Sequence, residues 1–404
     1  MNKYLSLSKE LYIIILANTV NNVGNLILPI FTVLLTDKLG ISIVIAGIIV
    51  MTNGIVSLIG TILGGILTDK FGIKRTYKLW YFLSCLCSFL ILIIYENTIL
   101  TIAILLLRTF SAAITGPAFN SMIACEEDPE KKKIGFTLLY ISFNIGAAIA
   151  PLIAITLFKS NIYLLFIIDG ITSIIAFLLI TYIVGNKYQD TSKISNKSSL
   201  KNNNTNVLGN KKFIISLLIS IIFFVYLSQI NYSIPLFLKS RFGNEGLDIY
   251  SKLLSFNAIL CVTLSVLVER LSNRIPQIKN LIISSFLFAL SFIFLIGLKS
   301  VYLAYLFTLI LTIAEIVLSV HLNVFILDNV KKDFIGRANT IVFIMRKIGF
   351  ALGSFITGMV ITNFDFNSLW ILLTMCALIQ GVAYIFIGRK ASNRLMLNKK
   401  QNIS

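Results

Sequence analysis

The stretch Gly64-Gly65-Ile66-Leu67-Thr68-Asp69-Lys70-Phe71-Gly72-Ile73-Lys74-Arg75 ends a long uncharged run in an acid, a glycine and a cluster of bases. Residues 39–68 carry no charge at all, and about 20 apolar residues are enough to cross a bilayer as a helix. Gly72 supplies the reversal before the next apolar run, expected to begin near Leu79. Lys70, Lys74, Arg75 and Lys78 favour the cytoplasmic side. Asp69 stands apart as an acid that topology alone does not require.

Working outward, the whole chain has the same character. Of its 404 residues 57% are hydrophobic and only 13% charged, and the mean hydropathy is +0.90. A water-soluble domain of this size is excluded, and a polytopic membrane protein is expected. The net charge of +18 would point to nucleic acid in a soluble protein. Here the bases fall in short segments between apolar runs, without interleaved stacking aromatics or zinc spacing, so no nucleic-acid partner is expected. The five cysteines, Cys85, Cys87, Cys125, Cys261 and Cys376, show neither metal-ligand nor disulfide spacing. No metal and no cofactor are expected. The first apolar run carries Asn18, Asn21, Asn22 and Asn25 and lacks the short core of a cleavable signal, so it reads as a retained membrane helix.

Apolar runs bounded by charge or turn clusters predict twelve membrane helices, at 9–36, 43–68, 78–96, 99–125, 134–158, 162–184, 213–238, 249–271, 279–298, 301–327, 338–361 and 368–388. A polar segment rich in Asn, Ser and Lys divides them, giving an N-terminal six-helix bundle at 1–185, a cytoplasmic linker at 186–212, a C-terminal bundle at 213–390 and a tail at 391–404. With the N-terminus inside, 26 of the 35 Lys and Arg fall in cytoplasmic segments and six in external ones, which places both termini in the cytoplasm. Asn144 to Ala154 echoes Lys347 to Thr357 at a spacing of 203 residues, and Glu269 to Arg274 repeats the opening stretch in degraded form. The halves read as copies.

Gly65-x3-Asp69-Lys70-x-Gly72-x-Lys74-Arg75 resembles the loop 2–3 signature of the major facilitator superfamily of secondary transporters. Gly146-x3-Ala150-Pro151 resembles the antiporter motif of the drug-exporting facilitators of Gram-positive bacteria, with Ala150 in place of a second glycine. Arg108 resembles the helix 4 arginine of facilitators, although Ser111 and Ala112 depart from the usual Gln-Gly. The resemblance implies an all-α fold of two pseudo-symmetric six-helix bundles, alternating access, and a central cavity lined by helices 1, 4, 7 and 10.

The residues themselves nominate the same helices. An ionisable group deep in a membrane helix is a functional candidate by default, which selects Arg108, Asp169 and Glu315 for proton coupling. Glu315 lies on a polar stripe with Thr308, Thr312, Ser319 and Asn323, and its pairing with Arg108 is expected to change with conformation. Asp169 is expected either to share the proton or to sit in a fixed bridge to Arg346 or Lys347. Asn18, Asn21 or Asn22, Asn25, Thr115, Phe119, Tyr226, Gln229, Thr312, Ser319 and Asn323 are the expected cavity residues. His321 is off the Glu315 stripe and reads as a packing residue. No catalytic set and no nucleotide-binding loop is present in the sequence, so no enzyme is expected and an ion gradient is the available energy source.

The expectation is a monomeric, proton-coupled exporter of amphipathic or cationic small molecules in the bacterial cell membrane, with the bilayer, protons and one small-molecule substrate as its partners. The alternatives are a proton-coupled uptake symporter for a sugar, peptide or metabolite, and a non-transporting sensor or scaffold of the same fold. Asp69 is expected to act as a gate latch at the start of helix 11.

Overall fold

The computed structural model describes residues 8–126, 128–183, 211–327 and 335–401. Every regular element among them is a helix: α1 Lys9–Gly24, α2 Ile27–Val33, α3 Ile43–Phe71, α4 Ile73–Ile94, α5 Thr98–Ala124, α6 Pro129–Ser160, α7 Ile162–Leu178, α8 Lys211–Ser228, α9 Ser233–Phe242, α10 Gly246–Ser272, α11 Gln277–Ile293, α12 Val301–Leu327, α13 Ile335–Asn363 and α14 Phe366–Gln401. Ten stretches among the described residues are long and apolar enough to cross a bilayer. One of these, Phe213–Ser272, runs for 60 residues, about three times what a single crossing needs. With no water to satisfy backbone groups in hydrocarbon, helices are the form such a chain must take.

The helices depart from simple apolar runs in four places. The first run breaks between α1 and α2 at Asn25, whose ψ of 70° leaves the helical region. The seventh breaks between Ser228 and Ser233, separating α8 from α9. The third helix starts at Ile73 rather than 78, because Gly72 alone turns the chain; its φ of 84° and ψ of 160° belong to a region that essentially only glycine enters. α14 continues to Gln401, so residues 391–401 of the expected tail are helix. The linker expected at 186–212 lies outside the described residues up to 210, and Lys211 already begins α8.

Two units divide the chain: one takes the described residues of 1–42, 49–202 and 242–258, the other those of 43–48, 203–241 and 259–404. In the first unit Lys159 Nζ meets Asp248 Oδ2 at 2.6 Å, and the Ser255 hydroxyl donates to the Ala148 carbonyl. In the second, the Tyr232 hydroxyl donates to the Ile43 carbonyl at 2.7 Å.

Each unit has its own core. In the first, Leu11, Ile14 and Ala17 of α1 meet Tyr77, Tyr81 and Cys85 of α4, Ala118 and Met122 of α5, and Ala176 of α7. In the second, Phe223 and Tyr226 of α8 pack on Phe288 and Phe292 of α11, and Phe292 stacks on Trp370 of α14. The sequence repeat has a packing counterpart inside each unit. A Cβ on Gly146 of α6 would lie 2.5 Å from the Asn22 side chain of α1, and one on Gly349 of α13 would lie 2.5 Å from the Phe224 side chain of α8. The repeated glycine therefore brings the same pair of helices together twice.

Candidate functional site

The first unit buries an ion pair. Arg108 of α5 donates through one terminal nitrogen to both carboxylate oxygens of Asp169 of α7, at 2.9 and 2.6 Å, and through Nε to the Ser88 hydroxyl of α4 at 2.8 Å. Ser88 in turn donates to Asp169 Oδ2 at 3.1 Å. The Asp169 side chain is 0% exposed and that of Arg108 is 14%. Three helices are stapled by one triangle of groups.

The break in the first run serves the same carboxylate. Gly24 lets α1 lie directly against α7, since a Cβ there would fall 1.8 Å from Thr172 Oγ1. Beyond it the chain leaves the helix, where the Leu26 N–H donates to the Gly24 carbonyl at 2.8 Å and lies within reach of Asp169. A discontinuous membrane helix that offers backbone groups to a buried charge is a common way to build a transport site. With three bonds donated by Arg108 and Ser88, the carboxylate is not left as a bare charge in the packing.

Beside the pair lies a cavity of about 210 Å³ lined by Asn18 and Asn21 of α1, Tyr77 and Tyr81 of α4, and Thr115, Gly116, Phe119 and Asn120 of α5. Tyr81 donates to Asn21 Oδ1 at 2.6 Å, and Asn18 donates to the Ser142 hydroxyl of α6 at 2.8 Å. Its lining is thus amide, hydroxyl, aromatic and small apolar, and Tyr81 of this lining lies in electrostatic range of both Arg108 and Asp169. Gly116 faces open space, and the following Pro117 sits inside α5, where a missing N–H loosens the helix beside the cavity.

In the second unit, Gln229 marks the break between α8 and α9. Its Oε1 accepts from Ser233 and from Thr357 of α13, each at 2.8 Å, and its amide donates to the Val225 carbonyl at 2.9 Å. Glu315 of α12 is half-buried, with Arg346 of α13 and Cys261 of α10 in electrostatic range. Arg346 also lies over the Phe224 ring at 5.2 Å. His321 meets Asn280 of α11 at 3.1 Å, and Asn280 also donates to the Ser272 carbonyl at the end of α10.

Several expectations are corrected by this geometry. Asp169 pairs with Arg108, not with Arg346 or Lys347: α4, α5 and α7 pack together, which brings the first-unit base to the first-unit acid. Asn18 and Thr115 line the cavity with Phe119, but Asn22 packs on Gly146 and Asn25 closes the end of α1. Of the two alternatives at that helical step, Asn21 is the one that lines the cavity. Tyr226, Gln229 and Thr312 are fully buried in the second unit's packing, and Ser319 is exposed with its hydroxyl turned back to the Ile316 carbonyl. The Asn323 side chain lies outside the described residues. Ser88, Tyr77, Tyr81 and Asn120 are the residues that sequence reasoning missed.

At the opening stretch, the Gly72 N–H donates to the Thr68 carbonyl at 2.9 Å, and the Thr76 hydroxyl donates to the Leu67 carbonyl at 3.0 Å, tying the start of α4 to the end of α3. Asp69, Lys70 and Arg75 are exposed and Lys74 is half-buried. Gly65 faces open space, whereas Gly64 is pressed on the Ile114 backbone, 2.2 Å from the carbonyl oxygen to an added Cβ. In α6, Ala150 and Pro151 are buried.

The Major Facilitator Superfamily model matches residues 13–354. The chain belongs to that superfamily. This facilitator is 22% identical over 404 residues to an uncharacterized MFS-type transporter, YttB of Bacillus subtilis (strain 168), covering 98% of its own length and 99% of the relative's. Its fold is similar to that of a mutant peptide transporter POT, with a TM-score of 0.79 and 14% identity over 95% of this facilitator and 94% of that chain. It is also similar to the nucleoside transporter NupG, at a TM-score of 0.78 and 15% identity over 94% and 98%. This facilitator is a multi-pass membrane transporter and not an enzyme.

Proposed function

We propose that this protein is a proton-coupled secondary transporter that exports amphipathic or cationic small molecules by alternating access, in the manner of the Gram-positive multidrug antiporters. The observation that carries the coupling is the buried Arg108–Asp169 pair beside an uncharged polar cavity. A proton arriving at Asp169 competes with Arg108 for the carboxylate, so the guanidinium is free to rearrange only in the protonated state. Glu315, with Arg346 in range, is a second carboxylate of the same kind in the other unit. Export is supported by the close α1–α6 crossing at Gly146 with Ala150 and Pro151 beyond it.

The proposal includes twelve crossings, six on each side of a linker at 186–212. It is supported by the turn at Gly243–Glu245, which separates α9 from α10 inside the 60-residue span, and by the shorter apolar helix Gln277–Ile293. Both termini are cytoplasmic, the protein is a monomer, and Asp69 with its neighbouring bases gates the cytoplasmic side.

One observation favours a second reading. The cavity's asparagines and tyrosines suit a small neutral solute rich in hydrogen-bonding groups better than a large cation, which is the chemistry of a proton-coupled uptake symporter. A substrate panel in proteoliposomes with an imposed pH gradient decides direction: extrusion against the proton flux supports export, co-directional accumulation supports uptake, and no flux with any member rejects both. Asp169→Asn is expected to abolish pH-driven accumulation while leaving substrate counterflow intact. Unchanged pH-driven accumulation in that variant and in Glu315→Gln would refute the assignment of the proton site.

A further inference from the structure

On the flank of the first unit, the α3–α4 corner leaves a groove of about 700 Å³. Leu67 and Phe71 at the end of α3, Leu79 and Phe82 of α4, and Phe177 of α7 form its apolar walls. Among the described residues, Arg75 and Lys78 are its only charged lining residues, and both are exposed. We infer that this groove is a binding site for an anionic phospholipid, with one acyl chain along the apolar walls and the phosphate held by the two cations.

The order of residues on α4 has the shape of such a molecule. Lys78 and Leu79 lie three and four residues after Arg75, and Phe82 four and three after them, so the four share a face, cations at the helix start and apolar groups further in. The start of α4 is also the end of the span Ile73–Ile94, and the α3 span ends at Phe71, so the cations stand where headgroups meet hydrocarbon. Basic pockets between membrane helices at that depth hold anionic headgroups. The groove is built before any lipid arrives, since Gly72 sets the corner and the Thr76–Leu67 hydrogen bond locks it. Charge sign argues against an amphipathic cation, because two bases and no acid line the groove. Assignment to the cytoplasmic leaflet rests on the proposed topology; the choice of an anionic lipid does not.

Trp80 lines the groove, and the other of the two tryptophans, Trp370, is fully buried in the second unit. Fluorescence quenching of the reconstituted protein by brominated phosphatidylglycerol, compared with brominated phosphatidylcholine, therefore reads the site, and Trp80→Phe identifies the component that belongs to it. The expected preference for phosphatidylglycerol is about five- to thirtyfold, for one or both cations engaging the phosphate, and it weakens as salt is raised. It should fall to near unity in R75Q/K78Q and persist in R75K/K78R. Should the double glutamine variant fail to reconstitute, Lys78→Gln alone is read, with about a fivefold loss expected. Equal quenching by the two lipids, a preference unchanged by the glutamine variants, or displacement of the lipid by tetraphenylphosphonium would each overturn the inference.

Discussion

Arg108 and Asp169 hold each other where neither is stable alone. Removing one partner of a buried pair costs about 3–5 kcal/mol, because the other is left charged and unpaired. Arg108→Gln is thus expected to lower the thermal midpoint of the purified protein more than Asp169→Asn/Arg108→Gln together, and additive losses in a melting series would show that the pair is not coupled. How much of this was legible in the sequence follows from chain distance. Each charge announced itself as an ionisable group in an apolar helix, but its partner did not: Ser88 is 81 residues from Asp169 and Arg108 is 61. Helical periodicity relates residues three or four apart and is silent about which helices touch. For the same reason the cavity's asparagines were found only to within one residue on α1.

Among the elements, the glycine hairpin of α3 and α4 separates two roles that the sequence motif merges. Gly64→Ala drives a methyl group into the Ile114 backbone, which cannot move aside as a side chain can. A loss of at least about 1–3 kcal/mol is expected. Gly65→Ala enters open space and should change stability by no more than about 0.5–1 kcal/mol. Thermal midpoints of the two variants in one detergent make the comparison, and equal losses would refute the packing assigned to Gly64. At the start of α14, the Ser368 hydroxyl and backbone N–H hold the Asp365 carboxyl below the usual carboxylate range, the backbone bond being 2.7 Å. A carboxyl lowered in the folded state contributes stability above its unfolded value and loses it as the pH falls through the folded one. The stability gap between wild type and Asp365→Asn should therefore be present at neutral pH and close as the pH drops below about 4. Helix existence and most boundaries were readable from apolar length. The breaks at Asn25 and at Ser228–Ser233 were not, because apolarity does not record which backbone bonds are made.

For the whole molecule, charge asymmetry makes a testable statement about orientation. In a variant with the five native cysteines replaced by alanine, a cysteine at the exposed Asn161 should react with an impermeant thiol reagent on intact cells. A cysteine at the exposed Asn273 should react only after permeabilisation, and the reverse pattern would invert the topology. The internal repeat was the most reliable global signal in the sequence, since its glycines recur as the same helix pairing in each unit. The triangle of Arg108, Asp169 and Ser88 has one more consequence. As paired it carries no net charge, so the membrane voltage does no work on it; with a proton on Asp169 it carries one, and 100 mV across the full membrane then acts with about 2.3 kcal/mol. Occupancy of a single carboxylate thereby decides whether this part of the protein feels the electric field.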